Sequence, residues 1–229
     1  MMKNIIFLIS LLNIISNCLG QVGLLTDSRD GKLYKTVVIG NQTWMAENLN
    51  VATFRNGDPI PEAKTDEEWD RAGKFKQPAW CYYNNDPKNG AIYGKLYNWY
   101  AVNDPRGLAP NGYKVASDND FRILIDFLGG QSVAGQKMKS SKEWWYECET
   151  SNYFGFSAIP AGKRYATGLY IDSTPTFEDL GETGYFWTSE EFSSLVTLIR
   201  YVNCSPGMDI TAEFKQIGQS VRCIQNNKD

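Results

Sequence analysis

The chain has no histidine in 229 residues. That absence removes the Ser-His-Asp and Cys-His nucleophile systems, every histidine metal site and the commonest general base. Other absences narrow the field further. No G-x-G-x-x-G, Walker phosphate loop or G-x-S-x-G elbow occurs, so nothing points to nucleotide binding or α/β-hydrolase chemistry. There is no Lys/Arg cluster and the formal charge is −3. This argues against nucleic acid as a partner, because phosphate neutralisation supplies much of that affinity. No two cysteines have C-x-x-C spacing, so neither a zinc site nor a thioredoxin-like motif is indicated. Beyond the first twenty residues, no apolar run approaches membrane-spanning length.

Residues 1–20 read as an export signal. Lys3 supplies a positive n-region, and Ile5 to Ile15 is an apolar core that only Ser10 and Asn13 interrupt, too short for a stable bilayer span. Two processing routes compete. Cys18-Leu19-Gly20 carries small residues at the two recognition positions, which leaves Gln21 as the mature N-terminus. Ile15-Ser16-Asn17-Cys18 also resembles a bacterial lipobox, with Cys18 lipidated and held at a membrane. Asn17 is a poor residue before a lipidated cysteine, so ordinary cleavage is favoured. Either route places the protein outside the cytoplasm, secreted or in the outer envelope of a bacterium. Of the five cysteines, four then remain in the domain: Cys81, Cys148, Cys204 and Cys223. An even number in an exported chain favours disulfides, with three connectivities, against the alternative of buried free thiols.

The best-marked element lies in the stretch from Tyr93 to Gly130. Tyr93, Leu96, Tyr97, Trp99 and Tyr100 form an aromatic, strand-like run. Ser117 then N-caps a helix with Asp120 three residues on. Phe121, Leu124, Ile125 and Leu128 make one apolar stripe, and Gly129-Gly130 ends the helix. Before it, turn signals at Asp30-Gly31 and Gly40-Asn41 bracket a strand over Leu33 to Ile39, and a second follows through Thr43 to Met45. Thr65 and Glu68 form a capping box for a short helix carrying Trp69 that ends near Gly73. A strand is predicted over Ala79 to Tyr83, then a polar loop over Asn84 to Gly90. Beyond the central helix, Ala134 to Ser140 suits one or two helical turns. Strands are predicted at Tyr185 to Ser189, Val196 to Val202, Ile210 to Phe214 and Gln219 to Ile224. The expectation is a single α+β domain over residues 27–226, with mixed antiparallel sheets, two or three short helices, long loops and an aromatic core.

Several phrases carry a family resemblance: DGKLYKTVVIGNQTWMAENLN, PAWCYYNNDPKNGAIYGKLYNWYAV, GLAPNGYKVASDNDF, AGQKMKSS, GFSAIPAG, GYFWTSEE and SVRC. In their order they are similar to the Fibrobacter succinogenes major paralogous domain, across roughly Asp27 to Asn226. The chain departs from the family at Tyr113, Lys114 and Ala116, where a tryptophan, a basic residue or histidine, and a proline are usual. Many members also carry a cysteine near Ala109 that pairs with the one matching Cys223. With that partner missing, the resemblance implies a Cys81–Cys223 bridge and a Cys148–Cys204 bridge. The order of parts resembles C-type-lectin-like domains and the formylglycine-generating-enzyme fold. That scaffold hosts lectins, adhesins and an oxidase, so fold alone does not settle function. The oxidase activity needs a pair of reactive cysteines that spacing does not provide here.

The resemblance places Trp145, Tyr146, Tyr153, Tyr165 and Tyr170 on the ligand-facing loops. There aromatic faces could stack on sugars or anchor a protein partner, against the blander expectation that most are core. Trp44, Trp80, Trp99 and Trp187 read as structural. Lectins of this fold bind calcium through Glu-Pro-Asn or Gln-Pro-Asp and Trp-Asn-Asp segments. The matching strand here reads Trp187-Thr188-Ser189-Glu190, so calcium would need other oxygens, and no cofactor is otherwise expected. Glu190-Glu191 is the most suggestive carboxylate pair for a glycosidase, which needs two acids about 5–10 Å apart. Neighbours on a strand point to opposite faces, so one at most would enter a given pocket. The function expected is an exported, non-enzymatic module that binds a glycan or a protein partner through aromatic loops, with Glu190 among the candidate ligand-binding residues. The alternatives are an envelope lipoprotein or structural subunit anchored at Cys18, and a carboxylate-based carbohydrate-active enzyme.

Overall fold

The computed structural model describes residues 21–167, 169 and 176–226. The export signal, Cys18 and Tyr170 lie outside the described residues. The chain builds two five-stranded sheets and one two-stranded ribbon. In the first sheet, β1 (Gln21–Thr26), β2 (Leu33–Ile39) and β3 (Gln42–Met45) run as an antiparallel meander. The C-terminal β12 (Cys223–Gln225) then inserts between β3 and β6 (Tyr113–Val115). The second sheet has the order β11 (Asp209–Phe214), β10 (Val196–Val202), β9 (Gly184–Glu191), β7 (Ala161–Arg164), β8 (Phe177–Leu180). Its pairs are antiparallel except β7 with β9. The ribbon pairs β4 (Trp80–Cys81) with β5 (Leu96–Tyr97).

Five α-helices are present among the described residues, against the two or three expected. They are α1 (Asp66–Lys74), α2 (Pro87–Tyr93), α3 (Trp99–Val102), α4 (Asp118–Phe127) and α5 (Gln131–Met138). The capping boxes of α1 and α4 form as their sequences require. Two helices escaped notice for physical reasons. In α2, Asn89 and Gly90 lower the propensity, yet the Gly90 position is pressed against the Tyr82 ring, where a Cβ would collide. The Asp86 side chain accepts from Lys88 N–H, and Pro87 occupies the first turn. In α3 the aromatic run looks extended, but Asn98 caps it by accepting from Ala101 N–H.

Both sheets feed two core clusters. Val37, Ile39 and Trp44 of the first sheet meet Phe186 and Val202 of the second around the apolar stripe of α4. Phe121 carries the contact, 5.1 Å from the Trp44 ring and 6.3 Å from Phe186 between centroids. The other cluster joins Tyr34, Met45 and Val115 to Trp187 and Ile199, and to Phe54, Tyr97 and Trp99. Trp44, Trp80, Trp99 and Trp187 are all buried with their indole N–H groups donated, to Gln42 Oε1 and to the carbonyls of Ile60, Thr188 and Tyr97 respectively. They are structural, as expected.

The cysteines divide. Cys148–Cys204 is bonded, with Cα atoms 5.0 Å apart. The expected Cys81–Cys223 bridge is absent, and both are buried free thiols. Cys81 packs with Trp69, Ala79 and Leu96, whereas Cys223 packs with Val115 and Trp187 in a different cluster. Ala109, near which the resemblance would place a cysteine, is buried in that second cluster. Burial raises the two thiols to about 11 for Cys81 and about 12 for Cys223.

Candidate functional site

Residues 141–155 run from the end of α5 towards β7 with little regular structure. Three features hold this loop. Cys148 ties it to the exposed turn between β10 and β11. The same turn is gripped by Lys139, whose buried ammonium donates to the carbonyls of Asn203 (2.9 Å), Ser205 (2.9 Å) and Cys204 (3.4 Å). Near the loop's start, Glu143 accepts from the Tyr93 hydroxyl at the end of α2, at 3.4 Å. The backbone of Glu143 has φ +74, which a non-glycine residue adopts at some expense.

Trp145 sits on this loop with 65% of its surface exposed. Its backbone N–H donates to the Gly181 carbonyl at 2.8 Å, and its indole lies against Gly181. A Cβ at that position would penetrate the ring, and Gly181 also has φ +76. Glycine is therefore required twice over for the indole to be seated there. Tyr146 is 60% exposed and Tyr153 50% exposed. Tyr153 packs edge-on to Phe154 at 4.8 Å, and Phe154 in turn to the exposed Phe127 of α4 at 5.3 Å. Trp145, Tyr146 and Tyr153 thus share one tethered loop and all face solvent. No ring contact among the described residues joins Trp145 to Tyr146 or Tyr153.

Tyr165 belongs to a different setting. It follows β7, and the Lys163 ammonium lies 4.7 Å from the Tyr165 ring centroid and 4.7 Å from that of Tyr185. Glu213 and Asp179 flank the same ammonium at 3.6 and 4.0 Å. The Tyr185 hydroxyl donates to Asp179 at 2.6 Å. Burial, then the Glu178 carboxylate, hold the Tyr165 hydroxyl well above the usual tyrosine range. This is a half-buried charged basin rather than an open platform. It lies at the opposite end of the β7–β8 hairpin from Gly181, because Tyr165 pairs with Thr176 and Gly181 directly follows β8.

Glu190 is engaged in holding the fold. Its carboxylate accepts the backbone N–H of Asp118 at 2.6 Å, at the positive N-terminal end of α4. Asp118 meanwhile pairs with Arg200 at 2.7 Å. Glu191 is paired with Lys215. The two neighbouring acids therefore serve separate partners. Among the described residues, no group of three or more Cys, Asp or Glu side chains is arranged to hold a metal ion.

A cleft of about 270 Å³ opens beside the aromatic loop. Lys32 and Lys35 line it with Glu47, Ile92, Ser157 and Ile159. Two of its lining residues, Asn48 and Ser157, are held by Arg222, which is fully buried. The guanidinium donates to Asn48 Oδ1 (2.8 Å) and to the carbonyls of Met45 (2.9 Å), Phe156 (2.6 Å) and Ser157 (2.8 Å). Neither this cleft nor the Lys163 basin stands out in the sequence. Scattered lysines and acids ordinarily read as solvated surface, and the spacing between them carries no signal.

The fold and loop define a mixed α+β domain that presents a disulfide-tethered aromatic loop beside a small polar cleft. The chain belongs to the Fibrobacter succinogenes major domain family, whose model matches residues 37–225. No curated protein and no solved structure matches it.

Proposed function

We propose that this domain is an exported, non-enzymatic recognition module of C-type-lectin-like architecture that holds a glycan on the loop carrying Trp145. The observation that supports this best is the seating of Trp145. A large aromatic ring is pinned on a glycine and left 65% exposed, where burial would have released about 1.5–3 kcal/mol or more for a side chain of this size. An indole held rigid with a face open to solvent can stack on the CH surface of a sugar ring with little ordering entropy left to lose. Tyr146 and Tyr153 widen the surface with hydroxyls suited to hydrogen bonding. The Cys148–Cys204 bridge suits an oxidising compartment outside the cytoplasm.

The test is retention of the mature domain on immobilised plant and bacterial glycans, with calcium and with chelator. Saturable binding that disappears in folded Trp145→Ala is the expected result, and sensitivity to chelator would bring in a metal. Binding unaffected by Trp145→Ala, or absent across the panel, would overturn the proposal and move weight to a protein partner.

A second proposal, anchorage through lipidated Cys18, draws on β1. Val22 and Leu24 are 71% and 68% exposed within a few residues of Cys18, as an apolar strand edge close to a membrane would be. Incorporation of labelled fatty acid that is lost in Cys18→Ala is its test, and no incorporation in the parent chain would sink it.

A further inference from the structure

The cleft beside the Trp145 loop is lined by two lysines and one carboxylate, Glu47. Among the described residues, neither Lys32 nor Lys35 has an ion pair or a side-chain hydrogen bond through its ammonium. Lys32 only rests 4.8 Å over the Tyr34 ring. A third cation lies close by. Lys95 follows Gly94 of the cleft wall and is buried, with its ammonium on Asn50 Oδ1 at 2.7 Å and over the Trp80 ring at 4.3 Å. Burial first, then repulsion from Lys32, lowers Lys95 to about 8. Within the cleft lining itself the two lysines outnumber the single carboxylate, Glu47.

The remaining walls narrow the choice of anion. Ile92 and Ile159 offer an apolar side. Glu47 uses Oε1 to accept from the Lys35 backbone N–H at 3.1 Å and keeps Oε2 for an incoming donor such as a hydroxyl. A doubly charged phosphate would meet repulsion from Glu47, whereas a single carboxylate between two ammonium groups leaves the site close to balanced. The volume, about 270 Å³, falls just under the range of pockets that take drug-sized ligands and suits one ring. The cleft and the indole seat also adjoin. Gly181 N–H donates to the Pro160 carbonyl, next to Ile159, and Glu143 two residues before Trp145 bonds Tyr93, next to Ile92.

We propose that this cleft is a subsite for the carboxylate of an acidic sugar, so that the glycan held by the domain contains uronic acid. The inference rests on the glycan-binding proposal for Trp145 and adds the class of ligand. A uronate residue places its carboxylate between Lys32 and Lys35, its ring CH groups on Ile92 and Ile159 and a hydroxyl on Glu47. The neighbouring sugar of the chain stacks on Trp145.

The experiment is titration calorimetry of the mature domain, at low and at physiological salt, with an oligogalacturonate and with a neutral galactan oligomer of equal length. The expected result is at least tenfold tighter binding of the oligogalacturonate, with the margin shrinking as salt rises. Lys32→Ala/Lys35→Ala should abolish that margin and leave neutral binding intact. Lys35 is exposed and Lys32 half-buried, and an unchanged melting temperature checks that the double variant folds. Trp145→Ala should weaken both oligomers alike. Equal affinity for the two oligomers, or a margin that survives the double variant, overturns the acidic subsite and leaves the Trp145 platform standing. Free glucuronate provides a separate arm. Its binding, lost in the double variant but kept in Trp145→Ala, would uphold the subsite even if the platform fails. Equal competition by inorganic sulfate at matched ionic strength would reduce the site to charge alone and overturn its assignment to a sugar. Absence of binding by the oligogalacturonate and by glucuronate refutes the acidic subsite, and the glycan panel decides the Trp145 platform separately.

Discussion

Replacing Arg222 with methionine tests whether the interior is organised by a cation that has no anion. The guanidinium touches no carboxylate. It is stacked 4.6 Å from the Phe156 ring and 5.6 Å from Phe186, and serves four acceptors, three of them backbone carbonyls. Burial lowers it to about 9, so it stays protonated at neutral pH. Where a buried ion pair is exchanged for apolar residues the result is often neutral or stabilising, because both charges leave together. That escape is closed here, since a carbonyl cannot be mutated away. Methionine would refill much of the space against the two rings but strand the oxygens of Met45, Phe156 and Ser157 and the Asn48 amide. At about 1–3 kcal/mol for each stranded group, reduced because some turn towards water, the expected loss is about 4–6 kcal/mol. For a domain of this size that is a fall of about 10–20 °C in melting temperature. Urea unfolding followed by tryptophan fluorescence measures it. Arg222→Lys should fall between parent and methionine, since it keeps the charge but not the reach or the fork of donors. A methionine variant within about 1 kcal/mol of the parent, at unchanged m-value, would refute the reasoning.

Three further predictions concern other parts of the molecule. Opening the 56-residue loop closed by Cys148–Cys204 with paired Cys→Ala substitutions should lower stability by about 4 kcal/mol at most on the chain-entropy estimate, and a urea midpoint unchanged from the parent would contradict it. Gly181→Ala should push Trp145 off its seat while the core holds, giving a red-shifted fluorescence component and loss of glycan retention; an unshifted spectrum would show that the ring does not depend on the glycine. Cys81 and Cys223 should resist thiol reagents until the chain unfolds, when two groups should react. Because their folded values lie above the ordinary 9.0, the stability they confer is complete below pH 9 and is lost as pH rises through about 11 and 12. Tyr34, Tyr97 and Tyr185, raised above 10.0 by burial first, add a steeper loss above pH 10. Lys95, lowered to about 8, Arg222, lowered to about 9, and Lys139, also lowered by burial, act in the opposite sense as pH rises, but the two thiols and the buried tyrosines outnumber them. Urea midpoints should therefore fall from pH 9 to pH 11, and a midpoint that keeps rising would contradict the assignment.

Parts of this fold whose cause is local were legible in the sequence. Ser117, Asp120 and the stripe Phe121, Leu124, Ile125, Leu128 specify α4 and its buried face without help from the rest of the chain. The β2–β3 hairpin was legible too, because Gly40 takes φ +62 at its turn. Features set by tertiary contact were not. The helix at Pro87–Tyr93 tolerates Gly90 because the Tyr82 ring occupies the space of a side chain. The Cys81–Cys223 pairing failed because the two thiols face different clusters, which no spacing reveals. At the candidate site, Trp145, Tyr146 and Tyr153 were nameable through the family resemblance, since three large aromatics outside a periodic element could by themselves equally fill a core. Lys32, Lys35 and Arg222 were not, because what matters in them is the carboxylate each lacks.

The cations inside the molecule have a consequence for how freely its surface can change. Arg222 grips the carbonyls of Phe156 and Ser157, and Lys139 those of residues 203–205. Every residue type offers the same carbonyl, so these clamps are blind to the side chains of the segments they secure. A loop fastened in this way can exchange its outward-facing residues without loosening its attachment. The domain is therefore suited to diversification, by mutation or by grafting, with new specificities carried on anchors that need not be redesigned.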